Sequence, residues 1–181
     1  MRLRHSLSLA FRKKLKCIIL IDKRIKHPPL FMANIIQREV FIMEYKRFGN
    51  TIYLRLDPKE EILEEIGKVA KKENIRLAQV TGLGAINDFT AGVYNTVTKE
   101  YHSIQFQGAY EIVSLTGTAT SKDGDVYLHP PIAAGDEEGL VHGGHLNRAI
   151  ISATAEIQIQ VIDGEIGREF NQEIGLNLFK F

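Results

Sequence analysis

Two periodicities alternate along this chain, and neither is sustained before residue 43. From Tyr45 to Leu56 apolar and polar residues alternate on either side of Gly49-Asn50, with Ile52, Leu54 and Leu56 on one face. That pattern predicts two short strands joined by a turn, with one face buried. Asp57 then stands as an N-cap, with Pro58 as first helical residue and Glu60 three after the cap, which predicts a helix start. Ile62, Leu63, Ile66, Val69 and Ala70 form its apolar stripe, Lys71 and Lys72 suit the negative end of the helix dipole, and Asn74 is the expected stop.

Period two then returns. Strands are expected over 76–80, entering Thr81-Gly82-Leu83-Gly84-Ala85, and over 89–94, 99–106 and 110–116, with Asp123-Gly124 as a hairpin turn. Between Thr154 and Ile162 one face carries Ala155, Ile157, Ile159 and Val161, and the other carries Thr154, Glu156, Gln158 and Gln160. Asp163-Gly164 ends that strand, and a last one is expected over 176–181. Many strands with one long helix predict a single α+β domain over 43–181, a mostly antiparallel sheet packed on one side by that helix.

The chain has 181 residues, which suits one domain, and its 44% hydrophobic and 25% charged content is ordinary for a globular protein. Cys17 is the only cysteine, so an intrachain disulfide and Cys-based zinc sites are excluded, and a reducing cytoplasm is the expected setting. The early apolar run Cys17 to Ile21 is far too short to span a bilayer, and no targeting segment is identified. Residues 1–42 carry ten Lys/Arg against two Asp/Glu, a net +8, while the remainder carries 13 against 20, a net −7.

Segment 1–42 shows no sustained period and is broken by Pro28-Pro29, so it is expected to be a poorly structured basic extension. Met43, where the patterning begins, is the expected true start. The codons for Arg38-Glu39-Val40 can resemble a bacterial ribosome-binding sequence at the right spacing before it. If the segment does belong to the protein, it is a basic tail suited to non-specific phosphate contact.

Gly82-Leu83-Gly84 has the permissive backbone of an anion-binding loop, but Asn87 stands where a dinucleotide fingerprint needs its third glycine. A tight turn or close backbone packing is the reading taken. The densest chemistry lies between His129 and His145, where three of the six histidines fall within 17 residues. If Gly135-Asp136-Glu137-Glu138-Gly139 is a hairpin loop, His129, His142 and His145 could meet as a three-imidazole site for zinc or another divalent metal. The alternative is that they pack at a subunit interface while Gly143 and Gly144 serve a bend. Glu156 is the nearby carboxylate, either beside such a site or buried against an arginine such as Arg168. No nucleophile elbow, phosphate loop or carboxylate pair is found, so no catalytic residue or reaction is assigned.

In order, Leu54-Arg55-Leu56-Asp57, Thr81 to Ala85, Gly108 to Gly117, Tyr127-Leu128-His129, Gly143-Gly144-His145-Leu146, Ala155-Glu156-Ile157, Arg168 and Gly175-Leu176 resemble the PPC (plant and prokaryote conserved) domain family over essentially all of 43–181. The resemblance implies a compact fold with an antiparallel sheet, assembled as a homotrimer. Prokaryotic members are stand-alone domains regarded as DNA-binding, while plant members add an AT-hook, whose Arg-Gly-Arg-Pro core this chain lacks. A homotrimeric, DNA-associated regulatory protein without enzymatic activity is thereby implied. The alternative is a metal-dependent enzyme or ligand-binding protein with its histidines at a subunit cleft. Relatives often carry His-x-His before Gly-Gly-His. Here His129 and His145 fill the first and third positions, Pro131 stands at the second, and His142 is the candidate to restore a third ligand.

Overall fold

A computed structural model describes residues 44–181, so the expectations for the basic segment 1–42 and for Met43 as a start lie outside the described residues. The alternation around Gly49-Asn50 gives strands β1 (Glu44–Phe48) and β2 (Thr51–Leu56), paired antiparallel, with Ile52, Leu54 and Leu56 buried. The Asp57-Pro58 signal does not start the helix. Asp57 N–H donates to Glu60 Oε2 at 2.8 Å, Glu60 N–H donates to Asp57 O at 3.2 Å, and Lys59 takes a φ of +78°, which closes a turn. Helix α1 (Ile62–Lys72) begins four residues after the expected start, capped by Glu61, whose carboxylate accepts from Glu64 N–H at 2.7 Å.

The physical reason for the delay is tertiary. Lys59 N–H donates to Ile151 O at 2.9 Å, and Ile151 N–H donates to Glu60 O at 3.0 Å, so residues 59–61 bond a neighbouring strand instead of coiling. The expected end holds. Lys71 and Lys72 fill the last turn and Asn74 takes a left-handed φ of +52°. Ile62, Ile66, Val69 and Ala70 are buried against the sheet, and Glu65 lies buried among them.

The strands that follow are longer than periodicity suggested. β3 (Ala78–Tyr94) runs through Thr81 to Ala85, and β4 (Tyr101–Lys122) absorbs both strands expected over 99–116. β5 (Asp125–His129) follows the Asp123-Gly124 turn, with φ of +53° and +83° as a hairpin of this length requires. β6 (Pro131–Gly135) and β7 (Val141–Val161) follow, and β7 extends the strand expected from Thr154 well toward the N-terminus. β8 (Gly167–Asn171), which alternation did not reveal, pairs with β9 (Leu176–Lys180) as a separate hairpin.

Seven strands form one antiparallel sheet in the order β1-β2-β7-β3-β4-β5, with β6 bridging β4 and β7. The pairings β3–β4, β4–β6, β6–β7 and β7–β3 return on themselves, so this end of the sheet curls closed. Register shifts at Gly82/Gly84 and Ile86/Asp88 of β3 supply the bends that a closing sheet needs. Phe89, Ile112, Leu115, Ile132, Leu146 and Ile151 fill the curled end, while Ile157, Ile159 and Val80 join the helix-covered half in one core cluster.

Candidate functional site

The histidines are placed by strand alternation. Successive side chains on an extended chain point to opposite faces. His129 lies two residues before Pro131, and Pro131 pairs with His145 across the β6–β7 ladder. His129 and His145 therefore come together, ring centroids 5.0 Å apart and planes tilted by 39°. His142 is three residues from His145 in the same strand, an odd offset that turns it to the other face. There it packs on Phe106 and Tyr110, at 5.0 and 6.0 Å between centroids, and its Nε2 donates to Asp136 Oδ2 at 2.8 Å.

Asp136 in turn organises the 136–140 loop, accepting from the N–H groups of Glu138 and Leu140 at 3.1 and 2.8 Å. The His142 bond is the chief reason its carboxyl is held below the usual range. The hairpin forms as expected, then, and brings two of its three histidines together. Among the described residues no group of three or more His, Cys, Asp or Glu is arranged to hold a metal.

His129 and His145 open onto a cleft of about 720 Å³ between the large sheet and the β8–β9 hairpin. Burial there pulls both imidazoles below their ordinary value, and His129 is lowered further by the nearby His145 and Arg168. The opposite wall carries Arg168. Its Nε donates to Thr120 Oγ1 at 3.1 Å, its Nη2 to Thr118 Oγ1 at 3.3 Å and its Nη1 to Asn177 O at 3.1 Å. The guanidinium carbon sits 4.8 Å from the Tyr127 ring centroid and 4.3 Å from that of Phe179. Burial lowers the pKa of this guanidinium too, since desolvation disfavours the charged form. The hairpin is tied over the cleft at its tip, where Tyr94 Oη donates to Ile174 O at 3.2 Å and Lys99 Nζ donates to Ile174 O at 3.1 Å.

Gly144 lines the cleft, and its φ of +155° together with a Cβ position only 2.6 Å from Gly92 O explains why nothing larger stands there. Gly143 presses on the carbonyl of Ile132 in β6. Gly82 and Gly84 are not a turn but the interior of β3. A Cβ at Gly82 would lie 2.5 Å from Ile157 Cδ1, which bears out the close-packing alternative. Glu156 is exposed on β7 opposite Arg55 of β2 and is not among the residues lining the histidine cleft, so it takes neither of the two places considered for it, beside the histidines or buried against Arg168. Alternation along β7 placed it on the solvent side, and Arg168 finds neutral partners. Tyr127, Phe179, Thr118, Thr120 and Asn177 were not expected at the site. The i, i+2 spacing of Thr118 and Thr120 was the one available signal.

Comparison with known proteins gives the fold a family. The model of the Plants and Prokaryotes Conserved (PCC) domain matches residues 43–163. A candidate DNA-binding protein from Bacteroides thetaiotaomicron is 31% identical, with 77% of this chain and 97% of that one covered and a TM-score of 0.75. A plant- and prokaryote-conserved (PPC) protein from Pyrococcus horikoshii is 30% identical over 78% of this chain and 96% of that one, with a TM-score of 0.67. A metal-containing protein from Archaeoglobus fulgidus is 28% identical over 77% and 99%, with a TM-score of 0.70. No curated protein is significantly similar. With the antiparallel sheet, helix α1 and the Gly143-Gly144-His145 strand in place, the chain belongs to the Plants and Prokaryotes Conserved domain family, the PPC family that its motifs resemble.

Proposed function

We propose that this chain is a homotrimeric PPC-domain protein of the cytoplasm that associates with DNA without sequence preference and serves regulation rather than catalysis. The observation that carries the DNA reading is the 31% identity, across 97% of its length, to the Bacteroides protein described as a candidate DNA-binding protein. Self-assembly is supported by large apolar residues left exposed on the curled end of the sheet, Val93, Tyr101, Ile104, Val113 and Val141 among them.

The charge pattern limits how DNA is held. Of the 13 Lys/Arg after residue 42, Arg47, Arg55, Lys68, Lys71, Arg76, Lys122, Arg148 and Lys180 face a carboxylate within ion-pair distance. Among the described residues one copy thus offers few free cations, and joining three copies raises the effective number. The test is duplex binding by the full chain and by residues 43–181, followed by fluorescence anisotropy from 25 to 300 mM salt. The domain is expected to bind weakly, with a log–log salt slope no steeper than about −4 per copy. Binding that disappears with residues 1–42 would assign the contact to that segment instead.

A second reading has its own observation. His129 and His145 are 5.0 Å apart in a cleft of about 720 Å³, a size and mixed lining suited to a small ligand. As a zinc site the cleft is incomplete in one chain. A catalytic zinc takes three protein ligands, and His142 is turned away. A divalent metal there would need its third donor from a bound ligand or a second copy.

A further inference from the structure

Arg168 is a half-buried cation whose partners among the described residues are all neutral. Its three hydrogen bonds go to two threonine hydroxyls and the Asn177 carbonyl, in contrast to the eight ion-paired Lys/Arg of the same domain. A guanidinium has five N–H donors in a fixed plane. Three are engaged, which leaves one on each terminal nitrogen, the number a carboxylate uses when it binds bidentately. Tyr127 and Phe179 bracket the group at 4.8 and 4.3 Å, so its plane is set before anything arrives.

Taking a charge out of water without a counter-charge is costly, and proteins usually supply one. The open side of Arg168 is the cleft that also receives His129 and His145. Their ring nitrogens offer further donors beside the guanidinium, while Pro131, Leu176, Leu178 and Phe179 give the rest of the lining an apolar character. One fixed positive charge suits a monoanion better than a phosphate dianion.

We propose that this cleft binds a small organic monocarboxylic acid. Its carboxylate is held by Arg168 beside His129 and His145, and its apolar body lies along Pro131, Leu176 and Leu178 under the β8–β9 hairpin. The inference rests on the ligand-binding reading of the cleft and names the class of ligand. It implies that the hairpin, pinned at its tip by Tyr94 and Lys99, acts as the roof of a binding site.

The test is isothermal titration of the full chain at pH 7 with benzoate and hexanoate, against their neutral isosteres benzamide and hexanamide. Inorganic phosphate and zinc chloride are run as separate titrations. Expected is binding of at least one acid at least 10-fold tighter than its amide and tighter than phosphate. Arg168→Gln is expected to weaken the acid at least 10-fold, and Arg168→Lys less, because the charge survives and the fork does not. Far-ultraviolet circular dichroism of both variants checks that they fold. If Arg168→Gln fails to fold, the acid-against-amide comparison on the unaltered chain decides.

Equal binding of acid and amide would overturn the acid inference while leaving the cleft a ligand site. No binding of either acid would also overturn it, as it would if a second copy fills Arg168's open side. Zinc binding without acid binding would overturn it and favour the metal reading.

Discussion

His129 and His145 share one partly desolvated corner, so placing a proton on either costs more in the folded chain than in the unfolded one. Above their ordinary value of 6.5 both are neutral in both states and have no effect on stability. Below it the unfolded chain takes up protons first, so stability falls until the lower folded values are passed. Urea unfolding should therefore give a lower midpoint at pH 5 than at pH 7.5. A His129→Asn, His145→Asn double variant should lose less over the same interval. An unchanged pH dependence would place the titration elsewhere. Asp136 shifts in the same direction but acts in a separate window, its contribution lost only as pH drops below 3.8. Gly84 is the second residue-scale case. It has a φ of +141° and a Cβ position 2.5 Å from Ala155 Cα, with the Thr154 carbonyl closer still. Gly84→Ala should cost roughly 1–3 kcal/mol by overpacking, read as a shift in chemical-denaturation midpoint without a change in slope.

At the scale of elements, the hydrophobic period located the helix stripe, the first hairpin and the Asp123-Gly124 turn, because those depend on near neighbours. It failed where distant partners decide. The Asp57-Pro58 cap was overridden by bonds from residues 59–61 to Ile151, and local pattern left open whether Gly82 and Gly84 made a turn or a close strand contact, which the pairing of β3 with β7 decides. The histidine spacing itself held the answer for His142. An offset of three on a strand separates faces, but only once the segment is known to be extended. β8 was hidden because its burial depends on the cleft wall and not on the main core. Gly67 tests the helix directly. It sits inside α1 with nothing within 4 Å of a Cβ, so Gly67→Ala should stabilise by about 0.5–1 kcal/mol, seen as a higher denaturation midpoint. The β8–β9 hairpin gives a further prediction. Tyr94→Phe removes the bond to Ile174 O, and amide exchange should quicken in 171–176 while the core strands keep their protection.

For the whole molecule, charge and apolar exposure point the same way. A domain of net −7 with most of its cations already ion-paired is a poor polyanion binder alone, and one whose curled end exposes apolar side chains is suited to association. The family was legible from the ordered motifs, and the fold followed from it. The ligand cleft was not, because Arg168, Tyr127 and Phe179 come from separate strands whose meeting no local pattern encodes. Sedimentation velocity of the full chain, alone and with a fluorescently labelled duplex at low salt, tests the central claim most directly. The account predicts a species three times the mass of one chain that co-sediments with the duplex and releases it as salt is raised. A monomer across the concentration range, or a trimer that leaves the duplex sedimenting as free DNA at the lowest salt, would contradict it.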